Sequence, residues 1–133
     1  MSLSNFAENL LLDWMFTADA PTAAARPTAW YVALHTDDPG ETGANEVLVA
    51  TDADYVRKAV TFGAASGGAN ASTAQVSWTV DAASAGYTVT HASIWDAASA
   101  GNCLISGALT SPRTLAALGV LTFEIGEVIA ALS

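Results

Sequence analysis

The stretch AWYVALHTDDPG, residues 29–40, constrains the fold more than any other part of the chain. Successive side chains of a strand point to opposite faces, so Trp30, Val32 and Leu34 share one side and Tyr31, Ala33 and His35 the other. A side made of Trp, Val and Leu has to be buried, and the strand therefore requires a core. Pro39 lacks the amide hydrogen that a ladder needs and Gly40 accepts a positive φ, so Asp37-Asp38-Pro39-Gly40 ends the strand near Thr36.

The same period of two recurs downstream. Ala74, Val76, Trp78 and Val80 alternate with Gln75, Ser77 and Thr79, the pattern of a strand with one buried face. Residues 87–95 read as another strand, with Tyr87, Val89, His91, Ser93 and Trp95 on one face and Thr88, Thr90, Ala92 and Ile94 on the other. Residues 46–51 and 55–62, split by the turn-forming Asp52-Ala53-Asp54, suggest a hairpin in which Val56, Val60 and Phe62 face the same way as Lys58. The run 63–72 is small, polar and aperiodic and reads as a flexible loop. A turn over 96–101 leads into a strand at 102–109, and 120–132 reads as a last strand pair with Gly126 as the bend or bulge.

Ahead of the strands, residues 5–16 carry the helical period. Phe6, Leu10, Leu11, Trp14 and Met15 recur along one side, and Asn5 with Glu8 has capping-box spacing. Leu12 and Phe16 widen the apolar arc, so the helix is expected to be sandwiched within the domain or docked on another subunit. Residues 17–28, Ala-rich with Pro21 and Pro27, read as a connector. The fold class is mainly β: an antiparallel β-sandwich or jelly roll of seven to eight strands with one N-terminal α-helix, in a single domain over 1–133. Trp30, Val32, Leu34, Val60, Phe62, Val76, Trp78, Ile94, Leu121 and Phe123 are its expected core.

Composition narrows the function classes. With 52% hydrophobic and 13% charged residues, the chain of 133 has more apolar side chains than one small core can hide, which points to a subunit interface. Thirteen acidic against four basic residues leave a net charge of -9, which disfavours direct nucleic-acid binding, because phosphates are neutralised by Lys and Arg. Cys103 is the only cysteine, so neither an internal disulfide nor a Cys-based zinc site can form. No apolar run approaches the roughly 20 residues of a bilayer span and the start lacks the basic region of a signal peptide, so no membrane is expected. The chain is expected to be made in a cytoplasm and kept there or in something assembled there.

No GxSxG, HExxH, Walker-type or GxGxxG pattern occurs. His35 lies at a strand end before Asp37 and Ser93 lies two residues after His91, so a hydrolytic set can be imagined by proximity in the fold, but histidines bonded to nearby backbone or hydroxyl groups are the favoured reading. Asp37, Asp38, Glu41 and Glu46 do not match an EF-hand loop, and a solvated acidic turn is preferred over calcium binding. No cofactor or metal is expected. Trp14, Trp30 and Trp78 read as core, whereas Trp95, beside Asp96 at a strand end, is the one candidate for a solvent-facing ring. Arg57 and Lys58 can dock on an acidic partner, although pairing with a neighbouring Asp or Glu is the ordinary expectation.

The segments SLSNFAENLLLDWMF, YVALHTDDPGE, YVRKAVTFGAA, VTHASIWDAASAGNCLISGAL, TSPRTL and GVLTFEIG, in this order over nearly the whole chain, resemble a family of small tailed-phage virion proteins often labelled tail fibre proteins. The resemblance implies a structural, non-enzymatic component of a phage particle. A compact chain without shaft repeats is physically closer to the small jelly-roll decoration or cement proteins that sit as trimers on phage heads. The function expected is therefore capsid decoration, with a tail fibre or tail-tip module that binds the host surface as the alternative. The expected partners are phage capsid or tail proteins and further copies of the chain, with a trimer preferred. The contact candidates are Phe6, Leu10, Leu11, Trp14 and Phe16 on the helix, the 63–72 loop, and Arg57, Lys58 and Arg113 for orientation.

Overall fold

The computed structural model describes residues 2–17 and 26–132. Its elements run β1 (Ser2–Leu3), α1 (Asn5–Phe16), β2 (Trp30–His35), β3 (Lys58–Val60), β4 (Ala69–Ala71), β5 (Val76–Thr79), β6 (Tyr87–Trp95), β7 (Cys103–Leu115), β8 (Val120–Phe123) and β9 (Ile129–Ala131). All strand pairs are antiparallel, in one five-stranded sheet of order β1-β7-β6-β2-β3 and two two-stranded sheets, β4-β9 and β5-β8. The expected mainly β architecture with an N-terminal helix is what the chain adopts. The connector expected over 17–28 lies for the most part outside the described residues.

The core forms where the alternating strands meet. Val32 pairs with Ile94 and Leu34 with Ala92 across β2 and β6, and Trp78 faces Leu121 across β5 and β8. Val32, Leu34, Val60, Val76, Trp78, Val80, Val89, Leu115 and Leu121 close into one buried cluster. The β5-β8 pair thus packs over one face of the large sheet in a sandwich-like arrangement. Trp78 is 2% exposed, donates its indole N–H to the Val56 carbonyl at 2.9 Å and meets Phe123 edge-on at 5.8 Å. A smaller cluster of Ala33, Trp95 and Cys103 lies on the opposite face of the sheet.

Several expectations need correction. Residues 47–51 are a turn rather than a strand: the Leu48 carbonyl accepts from Thr51 and Asp52, and only Glu46 bridges to His35. The expected hairpin is therefore absent, and β3 pairs with β2 instead. Outside β3 the alternation of 55–62 fails, leaving Tyr55 buried and Val56 exposed. Tyr55 is turned inward because its hydroxyl accepts the Leu34 N–H at 3.0 Å and donates to Glu46 at 2.9 Å, continuing the edge of β2 where β3 has stopped. The 63–72 loop contains β4, paired to β9. Among the described residues there are nine strands, one of them the two-residue β1 that composition could not announce.

Bulges explain two further differences. β6 has the expected bounds, but its register with β7 shifts between Val89 and His91, so Val89 and Ala92, of opposite parity, reach the same core cluster. β7 runs on to Leu115 through this irregularity, with Ala108 opposite His91 and Arg113 opposite Val89, so that four residues of β7 span one of β6. Residues 120–132 form β8 and β9 with Gly126 at φ 82 between them, but the two strands pair with β5 and β4, not with each other. At the helix start the cap is Ser4, whose hydroxyl accepts from Ala7 N–H at 3.3 Å, in place of the Asn5 and Glu8 box. Trp30 is not core: it sits where β2 pairs with the edge strand β3, 36% exposed and edge-on to Phe62.

The two tryptophans give the first prediction. Trp78→Ala should cost roughly 3 to 5 kcal/mol in denaturant unfolding, the range for emptying a sealed aromatic site, whereas Trp30→Ala should cost only about 1 kcal/mol. Equal losses would show that the inward face has been misassigned.

Candidate functional site

On the face of the large sheet away from the main core, the polar residues converge into a closed structure. The Arg57 guanidinium makes a paired contact with the Glu46 carboxylate, at 2.9 and 2.7 Å, and donates to the carbonyls of Ala97 and Ala100 at 3.1 and 2.7 Å. Its Cζ lies over the Trp95 ring, 3.6 Å from the ring centroid. Trp95 is buried rather than solvent-facing, and Gly43, at φ 73, is required beside it because a Cβ there would collide with the indole. The Trp95 N–H donates to the Ser93 hydroxyl at 2.7 Å, and that hydroxyl lies 2.6 Å from His35 Nε2.

The His35 and Ser93 contact has the distance of a hydrolytic pair but not its setting. His35 is 0% and Ser93 2% exposed, so no substrate carbonyl can reach the hydroxyl. The partner at His35 Nδ1 is the Ala44 carbonyl at 2.7 Å, not a carboxylate. Burial pulls the imidazole below its ordinary value of 6.5, against the smaller upward pull of that carbonyl and of Glu46. The arrangement pins the 37–46 loop to the sheet. Cys103 lies beside it, and burial pushes its thiol up to about 11, which leaves it un-ionised at neutral pH.

The acidic loop does not gather its carboxylates. Asp37 and Asp38 accept from backbone N–H groups within their own turn, Glu41 accepts from Asn5 N–H at 2.9 Å, and Glu46 holds Arg57. Among the described residues no three His, Cys, Asp or Glu side chains are placed to hold a metal ion, and no helix is long and apolar enough to cross a membrane.

What the surface offers instead is apolar area. In α1 only Ala7 is buried; the helix meets the sheet through β1 and β7, and every residue from Leu11 to Phe16 is exposed. Leu12, Met15, Trp14 at 68% and Phe16 at 75% are exposed. Between the sandwich layers, a cleft of about 440 Å³ is lined by Ile94, Ile105, Leu109, Phe123 and Val128, with Arg113 and Glu127 among its polar residues. A second cleft of about 420 Å³ lies beside α1, between Leu11, Trp30, Phe62 and Leu132. Both clefts reach Ile94 and Ile105, so they open from the same region of the sheet.

The contact candidates divide accordingly. Phe6, Leu11, Trp14 and Phe16 are exposed and Leu10 is half-buried. Arg57 spends its guanidinium donors inside the fold, on the Glu46 carboxylate and the carbonyls of Ala97 and Ala100, and stacks on Trp95. Lys58 is half-buried on the edge strand, and Arg113 is exposed on β7. Exposed Leu48, Val49 and Val56 went unpredicted as surface because 46–51 and 55–62 read as strands with an inward side.

The family model described as podophage GP4 fiber I protein gp80 matches residues 2–131. No curated protein matches the chain.

Two predictions follow from the closed polar structure. Arg57→Ala should destabilise the fold by roughly 2 to 4 kcal/mol in denaturant unfolding, somewhat below the value for a sealed pair because Glu46 keeps contact with water. The buried imidazole makes stability depend on pH: below 6.5 the unfolded chain takes up a proton that folded His35 resists, so stability present above 6.5 is lost as pH falls. The melting temperature should therefore drop between pH 7.5 and 5.5, and His35→Asn, less stable at both, should show a smaller drop. An identical drop in the variant would move the effect to other groups.

Proposed function

The chain belongs to the podophage GP4 fiber I protein gp80 family, a family of phage structural proteins, and from that premise we propose that it is a non-enzymatic, fibre-type subunit held in the virion by buried apolar area. The observation that carries the mode of attachment is the exposed apolar surface of α1 together with the two clefts. A helix bearing Leu12, Trp14, Met15 and Phe16 in water is at a disadvantage that association removes. Charge supplies little of the grip. Of the four basic residues, Arg57 is engaged within the fold, and a net charge of -9 repels other acidic surfaces.

A second reading, a decoration protein that clamps neighbouring capsid subunits, is supported by the absence of shaft-forming heptads or short β repeats from the sequence. Both readings place the chain in the virion with other phage structural proteins as partners, and they differ in copy number. Quantitative mass spectrometry of purified particles should find a few to a few dozen copies for a fibre subunit, whereas hundreds would favour the head.

Attachment through apolar area also has a salt signature. Raising sodium chloride from 0.1 to 1 M shortens the Debye length from about 10 to about 3 Å, which weakens exposed ion pairs and relieves like-charge repulsion. The protein should stay on particles washed with 1 M sodium chloride. Release at moderate salt would show that ion pairs carry the attachment.

A further inference from the structure

We propose that the second half of α1 docks into the interlayer cleft of another copy of this chain, with Arg113 beside the cleft facing the acidic residues of the incoming helix. Residues advance about 100° per step around a helix, so Leu12 and Phe16 on one side and Trp14 on the other make this end apolar around most of its circumference. Such an end must be surrounded, not merely covered, and a groove does this where a flat surface cannot. The exposed parts of Leu11, Leu12, Trp14, Met15 and Phe16 offer on the order of 600 Å² when their exposed fractions are applied to large apolar side chains, approaching the roughly 800 Å² per partner of a standard interface.

The cleft suits the side chains of this helix in lining and charge, with room for about two large apolar ones. Its volume is about 440 Å³, its walls include Ile94, Ile105, Leu109 and Phe123, and no residue of α1 lines it, so the chain's own helix does not fill it. α1 carries Glu8 and Asp13 and no basic residue. Arg113 lines the cleft, is exposed, and forms no ion pair among the described residues. Glu127 lines the cleft too, with its carboxylate held by the Glu124 N–H at 2.8 Å. In a chain of net charge -9, Arg113 gives this surface a cation to offer a helix whose only charges are acidic. A contact between two different patches of one chain is heterologous, so it closes into a ring or continues as a filament.

The inference does not depend on where in the virion the chain sits, because the purified chain should associate by itself. Sedimentation velocity and light scattering of the full chain at micromolar concentration should show a species larger than the monomer that dissociates on dilution. Trp14→Ala should weaken association by roughly thirtyfold, as expected for a central aromatic anchor, with circular dichroism unchanged. Arg113→Glu and Asp13→Arg should each weaken it by about two- to fivefold, the range for a peripheral ion pair, and the double exchange should restore it. A wild-type chain that stays monomeric, a Trp14→Ala variant that associates like wild type, or a double exchange without recovery would overturn the proposal.

Discussion

The Arg57 guanidinium is the interaction on which the outer face of this fold depends. One cation joins the start of the 47–51 turn through Glu46, the 96–101 turn through the carbonyls of Ala97 and Ala100, and the sheet through the Trp95 ring. In a chain with four basic residues this is a concentrated use of charge. A planar fork with five donors can meet a carboxylate, two carbonyls and an aromatic face at once, whereas an ammonium cannot reproduce that geometry. Trp95 in turn orders Ser93, and Ser93 orders His35, so the loop and the sheet are joined by one chain of contacts.

That closed face and the open apolar face divide the work of the molecule. On one side polar groups find their partners internally, and no buried side-chain N or O among the described residues is left without one. On the other, α1 and the interlayer clefts leave apolar groups in water. A structural protein of a particle has this asymmetry for a physical reason: its final environment includes neighbours, and area that is exposed alone becomes interior after assembly.

The strands with strict alternation were legible, and they were legible because both their faces have simple fates. Val76, Trp78 and Val80 are buried and Ser77 and Thr79 are exposed, as the period requires. Where a tertiary contact overrides the period, reading failed: Tyr55 turns inward for two hydrogen bonds, and the shift near Thr90 brings residues of opposite parity to one core. The proposed docking surface was half legible. The broad apolar arc of residues 6–16 announced an interface, but the cleft between the layers depends on β8, β9 and β7 coming together over long sequence distances, and no local pattern encodes that. Arg57 as an internal tie depended likewise on Ala97 and Ala100, some forty residues away in the chain.

The attachment of α1 has a mechanical meaning. Its first turn is tied to the sheet by β1 on β7 and by the Ser4 hydroxyl bonded to the Cys103 carbonyl, while its far end continues covalently toward β2. The helix is thus joined to the same five-stranded sheet at two places, by contact at the β1 edge and by the chain itself to β2, beside the opposite edge. Between them lie β7 and β6, the two longest strands and the most extensively paired. Force passes across the ladder through many hydrogen bonds in parallel, and the sheet acts as a spreader plate beneath a narrow handle.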